Sequence, residues 1–356
     1  MREEILRLAQ QAIKDSVFPG GIVGFVLKDG TREIIPFGNF TYEEGSPLVR
    51  EDSIYDVASI TKAIPTSSLA LKLIDEGRLK ITDKLIDYIP EFRNNDREDV
   101  LIKHLLTYTL DGYGLASLGD VSPEEMKEHI LTHNFDRKPG TVFKYTNIPA
   151  YLLGLVVEKI SGEKLDHLAD ATFFKPLGME RTSFHPQLFK REEIAPTEID
   201  SRGLVHGLVH DESAHLFKTK GDEVVGHAGL FSTAPDILTF LEMLLHEGEL
   251  HGHRYFSPDI ISLMSTNQIE ELGDSTGLGW ELNQPRFMGT FARPTAFGKT
   301  GFTGTLCVAD VARGVAYVIL TNRTYPKRSP DSTLINAFRS DIGTVINSFL
   351  VHNSPQ

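Results

Sequence analysis

Apolar positions recur every three to four residues at the start of the chain. In "MREEILRLAQQAIKDSVFPGG", Ile5, Leu8, Ala9, Ala12 and Ile13 fall on one face of a helix. The period then shortens to that of a strand. "GIVGFVLKDGTREIIPFG" reads as two strands around an Asp29-Gly30 turn, where glycine supplies positive φ without steric cost. The far end mirrors this, since "TLCVADVARGVAYVILTN" gives two strands around Arg313-Gly314. A closing helix follows, in which Leu334, Phe338, Ile342, Val345 and Phe349 keep helical spacing. Strands with a helix at both ends predict one sheet built from both termini. Between roughly residues 80 and 270 the pattern is mostly helical. "YLLGLVVEKISG" stops at Gly162, and "STAPDILTFLEMLLHEG" has Ser232 or Thr233 as N-cap and Gly248 as stop. There is no repeat, low-complexity tract or Gly/Ser linker, so the lobes should share an extensive interface. The pattern predicts an α/β sheet domain with a helical insertion.

Composition narrows the class. The 356 residues are 40 % apolar and 24 % charged, which fits a globular, water-soluble chain of one two-lobed unit or two domains. Lys and Arg number 36 against 49 Asp and Glu; a net charge of -13 argues against a nucleic-acid surface, which needs a basic stripe. The N-terminal segment lacks an apolar core of the secretory type, and no later run is long enough to cross a bilayer. Cys307 is the only cysteine, so no intramolecular disulfide forms. A cytoplasmic location is the expectation. Cys307 lies in a strand-like run and reads as a packed core thiol.

Candidate chemistry begins with "DVASITKAIP", residues 56–65. Ser59 and Lys62 are three apart where a strand-like stretch gives way to a helical one ending at Gly77. Residues at this spacing share a helical face, about 5–6 Å apart at Cβ. A lysine there can take a serine proton if burial and nearby positive charge lower its pKa. Pro65 removes an N–H just past the first turn, so a local distortion is expected. Alone, the pair is a weak signal and reads first as a capping serine and a surface lysine. "FKYTNIPAYLLG" adds Tyr145, able to relay protons, and Asn147, able to hold a substrate amide or to cap the next helix. "FGKTGFTGT", residues 297–305, adds a lysine and three glycines before a strand. Its backbone could offer N–H groups to an oxyanion while Lys299 and Thr300 bind a carboxylate; a glycine-rich turn with a solvated lysine is the plain alternative.

In order these are S-x-x-K, Y-x-N and K-T-G, and with tyrosine in the second the chain resembles the class C β-lactamase superfamily. That group includes D-Ala-D-Ala carboxypeptidases, family VIII esterases and penicillin-binding-protein relatives. "KHLLTYT" at 103–109, "KPGTVFKYTNIPAYLLG" at 138–154, "AGLFSTAPD" at 228–236 and "GLGW" at 277–280 resemble it too, so the likeness spans nearly the whole chain. It implies a β-lactamase-like antiparallel sheet flanked by the terminal helices, from residues 1–78 and 272–356. A mostly helical lobe, 79–271, would close a cleft against it. The resemblance makes Ser59 the acylated nucleophile, Lys62 its base, and Tyr145 the relay to the leaving group. Asn147 would bind the substrate's amide or acyl part, and Lys299 would supply charge near Tyr145 and the substrate carboxylate. Thr300 and Gly301 complete that edge, and the N–H groups of Ser59 and Phe302 would form the oxyanion hole.

Three positions depart from the family. Phe302 follows K-T-G where β-lactamases often carry a small or polar residue. "LLTYTLDGY" stands where many members read His-Thr-Ser-Gly, and Lys299 stands where many non-lactamase relatives have His. The first two point away from β-lactam turnover, the third toward a carboxylate-bearing substrate. "LVHGLVHDESAH" gathers His206, His210 and His215 beside Asp211 and Glu212, but Gly207 and the lack of H-E-x-x-H speak for a cleft-rim loop rather than a metal. The expectation is a cofactor-free, metal-free serine hydrolase of small esters or D-amino-acid amides and peptides, with β-lactams poorly turned over. The rivals are an intracellular D-stereospecific peptidase of cell-wall-derived peptides, a β-lactamase, and a non-catalytic scaffold.

Overall fold

The computed structural model describes residues 1–93, 95–118, 121–132 and 134–353. Helix α1 (Arg2–Lys14) leads into the hairpin β1 (Gly20–Leu27) and β2 (Arg32–Gly38). Its turn is set by Gly30 at φ +87° and by the Asp29 side chain, which accepts from the Thr31 N–H at 2.9 Å. Four later strands complete the sheet: β3 (Glu281–Leu282), β4 (Ala296–Thr300), β5 (Leu306–Asp310) and β6 (Val315–Thr321). The order is β2-β1-β6-β5-β4-β3, with every pair antiparallel. The seam between the termini is β1 on β6, in register from Gly21 against Thr321 to Leu27 against Val315. The single sheet built from both ends is therefore observed.

Side-chain alternation divides the core. Val23, Phe25, Val315, Tyr317 and Ile319 face a layer formed with α1 and the closing helix α6 (Thr333–Asn353), which contributes Phe338, Ile342 and Ile346. Ile22, Val26, Ala316, Val318 and Leu320 face the other way, into a core continuous with the helical part of the chain. Helix α5 (Ala234–Leu245), capped by the Thr233 hydroxyl, lies on that second face. It comes so close that a Cβ on Gly24 would stand 2.9 Å from Leu238 Cδ1. Both faces being covered, β5 and β6 are buried at every position and are apolar up to their last residues, Asp310 and Thr321. Cys307 is buried in β5, where burial pushes its thiol up to about 12.

Helices α2 (Ser68–Asp75), α3 (Ile148–Ser161) and α4 (Glu212–Gly221) follow Ser59, Asn147 and Asp211, which line one cavity with Thr300 of β4. α3 ends on Gly162 in the left-handed conformation, as its sequence predicts. No helix among the described residues is long and apolar enough to cross a membrane.

Candidate active site

Tyr55–Asp56 pair antiparallel with Phe231–Ser232, which delivers the chain into a tight turn, Ala58–Lys62. Ala58 adopts φ +47°, a conformation a non-glycine residue takes only when its surroundings impose it. The buried Asp56 carboxylate does so: it accepts from the Ala58 N–H at 2.8 Å and, through its other oxygen, from the His210 N–H at 2.8 Å. Ser59 follows at the cavity wall. The regular helix predicted from here to Gly77 is interrupted. A 3₁₀ turn and a wide turn at Ala63–Ser67 precede α2, with Ile64 non-helical at φ −118°, ψ 109°. Pro65 is the cause, because its ring drives the preceding residue out of the helical region.

Lys62 is fully buried. Its Nζ lies 2.8 Å from Ser59 Oγ and donates to the His227 carbonyl at 2.7 Å. Burial lowers its pKa to about 7; Asp211 pulls the other way and Lys299 adds to the depression. Near neutral pH a large fraction is thus free amine, with a lone pair to accept the serine proton. Tyr145 lines the same cavity as Ser59, and its ring lies 5.4 Å from Lys62 Nζ. Tyr145 is 40 % exposed as a residue, but desolvation of the phenol raises its pKa, keeping it protonated at neutral pH.

Lys299 projects from β4 into the protein and is fully buried. Its Nζ sits 4.2 Å from the centroids of both Tyr108 and Tyr145, whose rings are 5.1 Å apart, and 3.4 Å from Glu281 Oε1. Burial lowers its pKa and Glu281 opposes this. Glu281 Oε2 accepts in turn from Arg286 at 2.6 Å. Thr300, Gly301 and Phe302 line the cavity, whereas Lys299 lies behind it. Gly301 is also required by the protein itself: an added Cβ would lie 2.0 Å from Thr305 Oγ1 and 2.5 Å from the Val57 carbonyl oxygen. Phe302 is 43 % exposed and stacks on His210 at 5.7 Å.

Asn147 precedes α3 but its side chain makes no cap; its Nδ2 donates to Asp211 Oδ2 at 3.1 Å. Asp211 caps α4, accepting with Oδ1 from Ala214 N–H at 2.9 Å and Ser213 Oγ at 2.6 Å. His227 Nε2 approaches the same oxygen at 3.2 Å. Burial alone would raise the Asp211 pKa, but His227 and these hydrogen bonds hold it well below the usual carboxylate range. Burial lowers the His227 pKa against the pull of Asp211. The loop reading of the histidine-rich segment holds for His206 and His210, whereas Glu212 and His215 lie in the first turn of α4. His206 bonds to the Arg191 and Ile194 carbonyls and His210 to Glu198, while His210, Asp211 and Glu212 line the cavity. Among the described residues no group of three His, Cys, Asp or Glu side chains could hold a metal ion.

Tyr108, His227 and Glu281 belong to the site and were not singled out from sequence. Tyr108 lies within "KHLLTYT", a segment already marked by family likeness, while His227 directly precedes "AGLFSTAPD" and Glu281 directly follows "GLGW". The cavity has a volume of about 420 Å³. Arg286, Arg323, Arg328 and Arg339 line it, in a chain whose net charge is -13. Arg328 pairs with Glu198 and Glu212, whereas Arg323 and Arg339 donate to main-chain carbonyls of residues 301, 302, 305 and 331.

An antiparallel sheet between terminal helices, with a part-buried serine–lysine pair at a cavity beside it, is the architecture of β-lactamase-like serine hydrolases. Residues 7–339 match the family model described as Beta-lactamase, and the chain belongs to that family. A candidate D-alanyl-D-alanine carboxypeptidase of Escherichia coli K12 is 30 % identical over 319 residues, 78 % of this chain and 72 % of its own. A mutant of simvastatin synthase (LovD) from Aspergillus terreus superposes with a TM-score of 0.76 at 18 % identity, covering 98 % of this chain and 97 % of that one. EstCE1, a hydrolase with promiscuous acyltransferase activity, does so with a TM-score of 0.73 at 19 % identity, covering 95 % and 98 %. At these identities the structural likeness is one of fold. The protein is a serine hydrolase of the β-lactamase and penicillin-binding-protein superfamily.

Proposed function

We propose that this serine hydrolase works through an acyl-enzyme on Ser59 and acts on small esters or D-amino-acid amides and peptides. The observation that carries the reading is the 2.8 Å contact between Ser59 Oγ and a fully buried Lys62 amine. In the acylation step Ser59 Oγ bonds to the substrate carbonyl carbon as its proton passes to Lys62 Nζ. The N–H groups of Ser59 and Phe302 receive the developing oxyanion. Collapse breaks the bond to the leaving group, which takes a proton delivered from Lys62 through the Tyr145 hydroxyl. Water then adds to the acyl carbon, gives up a proton to the same pair, and releases Ser59.

Lys299 is assigned an electrostatic role. Buried behind the two tyrosine rings, it favours the neutral form of Lys62 and the anionic character Tyr145 gains during transfer. A carboxylate on the substrate would meet the arginines of the cavity wall instead. That feature, with the carboxypeptidase designation of the Escherichia coli relative, supports peptides with a free carboxylate as a second substrate class. The division into a sheet domain (1–78 and 272–356) and a helical lobe (79–271), with the cleft between them, belongs to the same proposal. Product release from a panel of short-chain esters, D-dipeptides and penicillins tests the substrate range. Turnover of esters or D-peptides with slow or absent penicillin turnover is expected; efficient penicillin hydrolysis would replace this reading with a β-lactamase.

A further inference from the structure

The two N–H groups assigned to the oxyanion come from segments far apart in the chain, and the fold ties those segments together. Thr303 and Thr305 are buried, and their hydroxyls donate to the Asp56 carbonyl at 2.8 Å and the Val57 carbonyl at 3.0 Å, just ahead of Ser59. The direction of the Phe302 N–H has a separate cause. It shares a peptide plane with the Gly301 carbonyl, and in a trans peptide these two groups point opposite ways. Arg339, on α6, donates from Nη2 to the Gly301 oxygen at 2.8 Å and to the Thr305 oxygen at 2.8 Å. The peptide oxygen thus faces Arg339 and the N–H faces away from it. That N–H has no hydrogen-bond partner among the described residues, and Phe302 lines the cavity with Ser59. Arg339 touches the same cavity but is only 4 % exposed. Its hydrogen bonds among the described residues all end on neutral oxygens, the third being Asn336 Oδ1 at 2.9 Å, and its Nε is buried with no partner. Burial lowers its pKa to about 9, so the guanidinium keeps its charge at neutral pH.

We propose that Arg339 is a positioning residue of the oxyanion hole: by holding the Gly301 carbonyl it aims the Phe302 N–H at the developing oxyanion and strengthens it as a donor. The inference rests on Ser59 as the acylated residue and on the Phe302 N–H as a donor, and it deepens that reading by naming what sets the donor. A charge-assisted bond to a carbonyl oxygen draws electron density from the nitrogen of the same amide, so its proton binds an anion more strongly. A buried charge with no carboxylate beside it is costly to fold, but no local anion cancels its field. That field acts on the oxyanion more than on the neutral ester, which is the difference that accelerates a reaction. Through the peptide, the guanidinium nitrogen and the oxyanion would lie roughly 7–8 Å apart. At that range inside a protein one unneutralised charge is worth about ten- to hundredfold in rate. Arg339 acts here through the 301–302 peptide and not on the substrate.

The test compares p-nitrophenyl butyrate with its thiono counterpart, in which sulfur replaces the carbonyl oxygen, each kcat/KM divided by the ester's own alkaline hydrolysis rate. Both esters are neutral, so neither draws on a carboxylate contact. Sulfur is larger than oxygen and a weaker acceptor, so wild type should prefer the oxo ester by roughly tenfold or more. Arg339→Met keeps the length of the side chain without its charge. It should slow the oxo ester about ten- to hundredfold and bring the preference to within about twofold. Arg339→Lys restores the charge and should recover part of both. Thr303→Val removes only the hydroxyl that ties the loop to the Asp56 carbonyl, and it should weaken the preference as well, which keeps the test open if Arg339→Met fails to fold. A purely structural defect would depress the two esters together and leave the preference intact, and that result would overturn the proposal. So would no preference in wild type, or a loss in Arg339→Met confined to a matched ester bearing a carboxylate, which would make Arg339 a substrate ligand. Fluorophosphonate labelling read by intact mass separates the two levels. An adduct on wild type with an unchanged preference in the variants sinks only this inference, and no adduct sinks the acyl-enzyme reading itself.

Discussion

Replacing Lys62 by methionine should abolish activity and stabilise the protein, most strongly near neutral pH. Lys62 is fully buried, and burial brings its pKa from 10.5 to about 7. The unfolded chain holds the proton up to its ordinary value, whereas the folded chain releases it near 7. Between those limits the unfolded state binds one more proton, so this group's contribution makes stability rise with pH. It is most unfavourable below about 7 and vanishes above 10.5. At 1.36 kcal/mol per pH unit the whole span is worth roughly 4–5 kcal/mol. Methionine fills similar volume without the charge but abandons the bond to the His227 carbonyl, a loss of about 1–2 kcal/mol. A net gain of ~2–3 kcal/mol for Lys62→Met at pH 7 results, shrinking steadily toward pH 10. Urea unfolding of both proteins at half-unit steps from pH 7 to 9.5 reads the difference directly. Parallel stability curves, or a variant less stable than wild type at pH 7, would refute a desolvated lysine at this position.

Other consequences follow from the same geometry. For a neutral p-nitrophenyl ester, kcat/KM should rise with pH through an ionisation near 7, where Lys62 becomes free amine. Lys62→Arg should be nearly inactive, because a guanidinium stays protonated; an arginine variant with most of the activity would exclude the base role. Lys299→Ala should lower kcat/KM by a similar factor, roughly ten- to hundredfold, for matched esters with and without a terminal carboxylate, since its amine lies behind the cavity wall. A loss confined to the carboxylate ester would make Lys299 a substrate ligand. Gly301→Ala should cost about 1–3 kcal/mol in thermal or urea unfolding, because its Cβ would enter the space of Thr305 Oγ1 and the Val57 carbonyl; an unchanged midpoint would contradict the packing.

The sheet could be read from sequence because its alternation is double: odd and even positions of β1 and β6 serve two different cores, so both strands stay apolar and end at turn residues. Ser59, Lys62, Tyr145 and Asn147 were nameable because short motifs keep chemically coupled residues close along the chain. Partners remote in sequence were not. Lys62 is held by a carbonyl 165 residues away and Lys299 by a carboxylate 18 residues away, contacts that only the folded chain creates. Lys299 shows the limit most clearly. A lysine beside Thr300 and Gly301 suggests a cation offered to substrate, and only the folded chain shows its amine buried against Glu281 and two tyrosine rings. Tyr108 follows the same logic, being an apolar-run residue in sequence and a shield over that buried amine in space.

Covalent labelling at Ser59 tests the central claim most directly. Wild type treated with a fluorophosphonate should gain the mass of one adduct, and peptide mapping should place it on Ser59. Ser59→Ala should stay unlabelled and hydrolyse no ester above background. A label on any other residue, or a Ser59→Ala variant that still labels or turns over substrate, would contradict it.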